Sequence, residues 1–158
     1  MTKSPAEGAK APAFTLPADG GGKVSLKDYA GKKLVLYFYP KDDTTGCTRE
    51  AIDFSENLRA FKAAGAAVLG VSKDSAAKHD KFKQKHGLKL ALGADETGAV
   101  VEAYGVWGEK SLYGRKYMGI ERATYLIDGK AVIRRIWRKV KVSGHVAEVL
   151  EAVKALPG

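Results

Sequence analysis

Leu34-Val35-Leu36-Tyr37-Phe38-Tyr39 forms a continuous hydrophobic block with no polar face. Such a block is expected of a strand buried on both sides, and Pro40, which lacks a backbone donor, ends it. Beyond a polar loop, Ala51, Phe54, Leu58 and Phe61 recur at three- and four-residue spacing, predicting a helical face that runs to Gly65. Ala67–Ser72 reads as a second buried strand, followed by Asp74 as N-cap and a basic helix from about Ser75 to His86, with Gly87 as its stop. Leu90–Leu92 predicts a short strand and Glu96–Tyr104 a short helix. Ala123–Ile127 and Val132–Trp137, joined through Asp128-Gly129, read as a hairpin. Ser143 is placed to cap a last helix whose Val146, Val149, Leu150 and Val153 face the core. Near the start, Phe14–Leu16 and Val24–Leu26 are extended segments flanking Asp19-Gly20-Gly21-Gly22, read as a structural turn and not a phosphate loop.

Strands alternating with helices, closed by a hairpin, imply an α/β fold: a central mixed β-sheet flanked by helices on both faces, in a thioredoxin-like order. Sheets of this kind place reactive groups beyond the carboxyl ends of their parallel strands, which directs attention to the loop after Tyr39. With 158 residues, 45% of them hydrophobic, the chain is expected to form one domain over 1–158. Met1–Ala11 and Pro157-Gly158 read as loose ends, residues 1–8 being a flexible arm. The longest mostly apolar stretch, Ala63–Val71, is far short of the roughly 20 residues of a membrane helix. The opening residues carry Lys3, Glu7 and Lys10 without the apolar block of a secretory leader, so the cytoplasm is the expected compartment.

A net charge of +9 could attract nucleic acid or an anionic surface. The basic residues are dispersed, however, with local densities only at Lys78–Lys89 and Arg134–Lys141, and a solvated face accounts for them. A polyanion-binding alternative would use these patches with Trp137 stacking on a base; no specific nucleic-acid partner and no membrane partner are expected. His79, His86 and His145 lack the spacing of shared metal ligands and read as surface or partly buried imidazoles, so neither metal nor cofactor is expected. Asp42-Asp43 and Asp95-Glu96 read as loop or capping carboxylates.

Cys47 is the single cysteine, which rules out an internal disulfide and suits a reducing compartment. It sits at or near the first turn of the helix after Pro40, where unpaired backbone N–H groups and the helix dipole favour a thiolate. The alternative reading is a small buried core residue, which is what most free cysteines are. Complete ionisation would raise the nucleophile population only about 30-fold over an ordinary thiol at neutral pH, about 2 kcal/mol, against the million-fold acceleration common to enzymes. Substrate-orienting and charge-stabilising groups are therefore needed. Thr44, three residues earlier, either brings a hydroxyl beside the sulfur or caps a loop. Arg122, before the strand Ala123–Ile127, either reaches an adjacent site or is a surface charge.

Pro40-x-x-x-Thr44-x-x-Cys47, continued by Thr48-x-Glu50, resembles the peroxidatic signature of the peroxiredoxins. Gly70-Val71-Ser72-Lys73-Asp74, Tyr104-Gly105-Val106-Trp107, Gly119-Ile120-Glu121-Arg122-Ala123-Thr124 and Leu126-Ile127-Asp128 extend the similarity over about Ala9–Leu156, toward the bacterioferritin comigratory protein or peroxiredoxin Q subfamily. The resemblance implies a thioredoxin fold and an antioxidant, thiol-dependent peroxidase acting on hydrogen peroxide and organic hydroperoxides, with Cys47 as the peroxidatic nucleophile. It implies that Thr44 hydrogen-bonds the peroxide, Arg122 polarises the thiolate and binds peroxide oxygen, and Pro40 shields the sulfur. Glu50 would orient Arg122, and backbone N–H groups around Gly46 and Cys47 would complete the donor set.

Many members of the subfamily carry a resolving cysteine five residues after the first, where this chain has Ile52, and others carry it in the next helix, where none occurs. The implied cycle therefore uses one cysteine: a Cys47 sulfenic acid reduced by an external thiol, whether thioredoxin, glutaredoxin or a low-molecular-weight thiol. A thiol-disulfide oxidoreductase on the same fold would need a Cys-x-x-Cys pair, and Thr44 stands where its first cysteine would be. A monomer is the expected state, though dimers occur among relatives. Trp107, Tyr113, Tyr117 and Met118, in and beside Gly108–Gly119, are the expected walls of the substrate pocket.

Overall fold

The computed structural model describes residues 4–157. The predicted central strand is β3 (Lys33–Phe38), every residue of which is buried. Strand β4 (Ala66–Ser72) pairs parallel to it and β8 (Ala123–Ile127) antiparallel. With β5 (Ala91–Ala94) and β9 (Ile133–Trp137) at the edges, they form a five-stranded mixed sheet in the order β5-β4-β3-β8-β9.

Alternation along β3 divides the core in two, because successive side chains point to opposite faces. Val35, Tyr37 and Tyr39 pack with Phe54, Phe61, Phe82, Val149 and Val153, supplied by helices α1 (Thr45–Glu56), α2 (Leu58–Ala63), α3 (Ala76–His86) and α5 (His145–Ala155). Leu34, Leu36 and Phe38 pack on the other face against the hairpin of β1 (Thr15–Pro17) and β2 (Lys23–Ser25), and against helix α4 (Ala99–Ala103). Tyr37 pairs across the sheet with Gly70, where a Cβ would lie 2.7 Å from the tyrosine ring. Glycine in mid-strand thus makes room for an aromatic side chain on its neighbour.

Helix boundaries differ from the expected ones for local reasons. The helix expected to run to Gly65 breaks at Asn57, whose side-chain amide donates to the Asp53 carbonyl at 2.8 Å and so competes for a backbone acceptor. Ser75, not Asp74, caps α3 by accepting from the Lys78 N–H; Asp74 instead accepts from the Asp42 N–H and the Ser72 hydroxyl. Gly144, at φ 74°, precedes α5 in place of a Ser143 cap. Gly98, at φ 82°, delays α4, whose Val100 and Val101 N–H groups donate to Asp95.

One hairpin is absent from the sequence reading: β6 (Trp107–Leu112) and β7 (Arg115–Ile120), turning at Tyr113-Gly114 with φ of 51° and 77°. Its largely exposed, polar strands lack the hydrophobic alternation that marks a half-buried strand. The supposed arm is docked from Ser4 onward. The Ser4 hydroxyl lies 2.9 Å from that of Tyr125, and backbone bonds join Gly8 and Ala9 to Ile133 and Ala11 to Ala131. Met1–Lys3 of that arm, and Gly158, lie outside the described residues. Among the described residues no helix is long and apolar enough to cross a membrane.

Candidate active site

Helix α1 begins directly beyond the carboxyl end of β3, and Cys47 lies in its first turn with only 1% of its surface exposed. Antiparallel pairing of Ala123 with Phe38 brings the residue before β8, Arg122, to the same end of β3. The guanidinium donates through Nη2 to Cys47 Sγ at 3.3 Å and through Nη1 to Glu50 Oε1 at 2.7 Å. Gly46 permits this approach, since a Cβ there would stand 3.1 Å from Arg122 Nη2.

Glu50 is fully buried one turn after Cys47, and its second oxygen has no hydrogen-bond partner among the described residues. Burial pushes its carboxyl up to about 7, against the downward pull of Arg122. Burial also works against the charge on Arg122, but Glu50 and then Cys47 outweigh it and hold the guanidinium above its ordinary value.

The expected hydroxyl is at the helix start but is not bonded to the sulfur. Thr44 is the N-cap residue; its hydroxyl donates to the Lys41 carbonyl at 2.9 Å and its own carbonyl accepts from Thr48 at 2.8 Å. That is the first intrahelical bond, so the N–H groups of Gly46 and Cys47 precede the ladder. Pro40 is half-buried and lines a cleft of about 380 Å³ with Trp107, Tyr117 and Met118. Tyr113, at the tip of the β6–β7 turn and 96% exposed, stands outside that wall.

Two of the histidines read as surface or partly buried are buried, His79 fully and His145 almost so. His145 accepts or donates a bond at 2.8 Å with the Thr124 hydroxyl, and burial, with the charge of Arg122 added, lowers it to about 4. His79 bonds Asp42 through Nδ1 at 2.7 Å and the Gly93 carbonyl through Nε2 at 2.9 Å. Only the apolar face of α5 hinted at the burial of His145, and the basic α3 gave no such hint for His79; their partners Thr124 and Asp42 lie 21 and 37 residues away. Asp42, read as a loop or capping carboxylate, is buried too.

The basic patches are partly neutralised, by pairs such as Arg138 with Glu121 at 2.6 Å and Lys83 with Asp19 at 2.6 Å. Trp137 offers no free ring for stacking, because the Arg135 guanidinium lies 4.5 Å from its centroid and His145 packs edge-on at 5.9 Å. Among the described residues no group of three His, Cys, Asp or Glu side chains is arranged to hold a metal.

Residues 8–136 match the model of the AhpC/TSA family. Peroxiredoxin Bcp of Bacillus subtilis is 50% identical over 147 residues, covering 93% of this chain and 94% of its own. The structure superposes on the bacterioferritin comigratory protein of Xanthomonas campestris, solved in connection with alkyl peroxide reduction, with a TM-score of 0.85, 45% identity and 90% of each chain covered. PrxQ of Xylella fastidiosa gives a TM-score of 0.88 at 38% identity, over 96% of this chain and 98% of that one.

Proposed function

The chain belongs to the AhpC/TSA family as a Bcp-type peroxiredoxin, a thiol-dependent peroxidase, and on that premise we propose that Cys47 is its peroxidatic cysteine, working in a one-cysteine cycle. The observation that carries the assignment is the fork of Arg122, which holds the only thiol of the chain and a buried carboxylate at once.

The Cys47 thiolate attacks the terminal oxygen of the hydroperoxide. The S–O bond forms as the O–O bond breaks, the sulfur becomes a sulfenic acid, and the departing alkoxide or hydroxide takes a proton to leave as alcohol or water. Arg122 supplies fixed positive charge where negative charge develops, and the N–H groups of Gly46 and Cys47 add donors at the helix start. Because the Thr44 hydroxyl already donates to Lys41, its oxygen is free to accept the peroxide O–H and so orient the substrate. Pro40 limits water at the mouth, and Glu50 fixes the plane of the guanidinium.

Ile52 occupies the place of a resolving cysteine, so the sulfenic acid condenses with an external thiol, releasing water, and a second thiol frees Cys47. Thioredoxin, glutaredoxin and low-molecular-weight thiols all suit that step. Action in the reducing cytoplasm, as a monomer, completes the reading.

Trapping with dimedone after one equivalent of peroxide, followed by peptide mass spectrometry, tests it. An adduct confined to Cys47, together with loss of peroxide consumption in Cys47→Ser, is expected. Equal peroxide consumption by the variant and the wild type would overturn the assignment.

A further inference from the structure

Behind the reactive loop lies a buried polar cluster that the peroxide chemistry does not use. Asp42, five residues before Cys47, is tied down through both side chain and main chain. Its Oδ2 lies 2.7 Å from His79 Nδ1, its Oδ1 accepts from the Tyr39 hydroxyl at 2.5 Å, and its N–H donates to Asp74 Oδ2 at 2.8 Å. The His79 and Asp42 side chains are 0% and 5% exposed. Protonation follows from the partners. Nε2 of His79 faces the Gly93 carbonyl, which only accepts, while Nδ1 faces a carboxylate that already accepts from Tyr39. Both ring nitrogens therefore carry protons, and the pair is an imidazolium against a carboxylate.

The second observation is the burial of Cys47. A small hydroperoxide can reach a sulfur in a closed site, but the sulfur of an external thiol must come within bonding distance of Sγ, and at 1% exposure no protein surface can do so. If Cys47 is the peroxidatic residue proposed above, the first turn of α1 has to leave Arg122 between the two half-reactions.

We propose that the Asp42–His79 pair is the latch for that movement: intact, it holds Cys47 against Arg122 for the peroxide step, and broken, it frees the loop so that the external thiol reaches the oxidised sulfur. Asp42 and His79 are thus positioning residues. The chemistry at the opened site is Cys47–SOH + RSH → Cys47–S–S–R + H2O, and a second RSH then releases Cys47–SH and RSSR.

The groups facing His79 set the sense of its pH dependence. Asp42 comes from the loop, Tyr39 from the end of β3, Asp74 from beyond β4, and the Gly93 carbonyl from β5, while Lys78, Asp80 and Lys83 flank it on α3. Burial works to lower the imidazole, but the bond and charge of Asp42, with Gly93 and Asp74, hold it above its ordinary value. A histidine raised in the closed form is protonated at low pH, so the latch is shut there and loosens as pH rises through the raised value.

Hydrogen exchange of the reduced protein tests this without relying on peroxidase activity. In Asp42→Asn and in His79→Gln, amides of Asp42–Thr48, corrected for intrinsic rates, are expected to exchange about tenfold faster or more, while those of β3 and β8 keep their protection. The peroxide rate should fall, and reduction of the pre-oxidised protein by dithiothreitol should quicken. In the wild type, corrected exchange of the same segment should rise between about pH 6 and about pH 9, a rise missing from both variants. The latch is refuted by unchanged loop exchange in the variants, by loop and core losing protection together, or by a flat wild-type profile, which needs no variant to fold. Failure to trap a sulfenic acid at Cys47 would overturn the peroxidatic assignment instead, leaving the exchange result to judge the latch.

Discussion

Ala123 stands opposite Phe38 in the antiparallel junction of β8 with β3, and this register is what delivers the neighbouring Arg122 to Cys47. Two segments distant in sequence meet at one end of the central strands, one bringing the thiol and the other the cation.

Arg122→Lys keeps the charge but removes the fork that serves Cys47 and Glu50 together. Losing a preorganised donor of this kind typically costs about 100- to 1,000-fold in rate. Stopped-flow measurement of the peroxide reaction of the reduced enzyme should show a fall of that order; a rate near that of the wild type would remove Arg122 from the chemistry.

Gly46→Ala separates reactivity from stability. Alanine in a helix is favoured over glycine by about 0.5–1 kcal/mol, so denaturant unfolding should show equal or greater stability. Its Cβ would meet Arg122 Nη2 at 3.1 Å and displace the guanidinium by a few tenths of an ångström. A peroxide rate lowered about tenfold is expected from that misplacement. Unaltered kinetics would show that the close approach is incidental.

Glu50 and His145 make opposite contributions to the pH dependence of stability. The Glu50 carboxyl, raised from 4.5 to about 7, binds its proton more tightly in the folded state. Its contribution is therefore full below 4.5 and lost as pH rises through about 7. His145, lowered from 6.5 to about 4, contributes above 6.5 and loses its contribution as pH falls through about 4. Unfolding free energies measured across this range should show Glu50→Gln removing the decline toward neutral pH and His145→Gln removing the decline toward acid. A parallel offset of either curve would contradict the linkage.

Phe54 is fully buried, stacks on Tyr37 at 4.5 Å and packs against Phe61 at 5.8 Å. Phe54→Ala should cost about 3–5 kcal/mol in equilibrium unfolding, as large-to-small core changes of this type do. A cost well under that would mean that α1 settles onto the sheet and fills the space.

Where side chains follow a single period, the sequence disclosed the fold. The run Leu34–Tyr39 was legible as a central strand because both faces are buried, and the α/β alternation followed from its neighbours. The β6–β7 hairpin was not legible, because its strands face solvent and carry no apolar period. Asn57 and Ser75 changed helix ends through single side-chain bonds that propensity does not resolve. Of the proposed site, Cys47, Thr44 and Arg122 were visible through a motif, whereas the Asp42–His79 pair behind it was not, since nothing local distinguishes a buried carboxylate from a solvated one. Thr44 was placed at the right end of the right helix, but the bond it makes to Lys41 depends on the curl of the loop.

The separation of 75 positions between Cys47 and Arg122 also orders events during synthesis. As the chain leaves the ribosome, Cys47 emerges long before β8, and until that strand inserts beside β3 the thiol has no guanidinium beside it. On the assignment proposed above, the sulfur gains its oxidant-reactive setting only with the completed sheet.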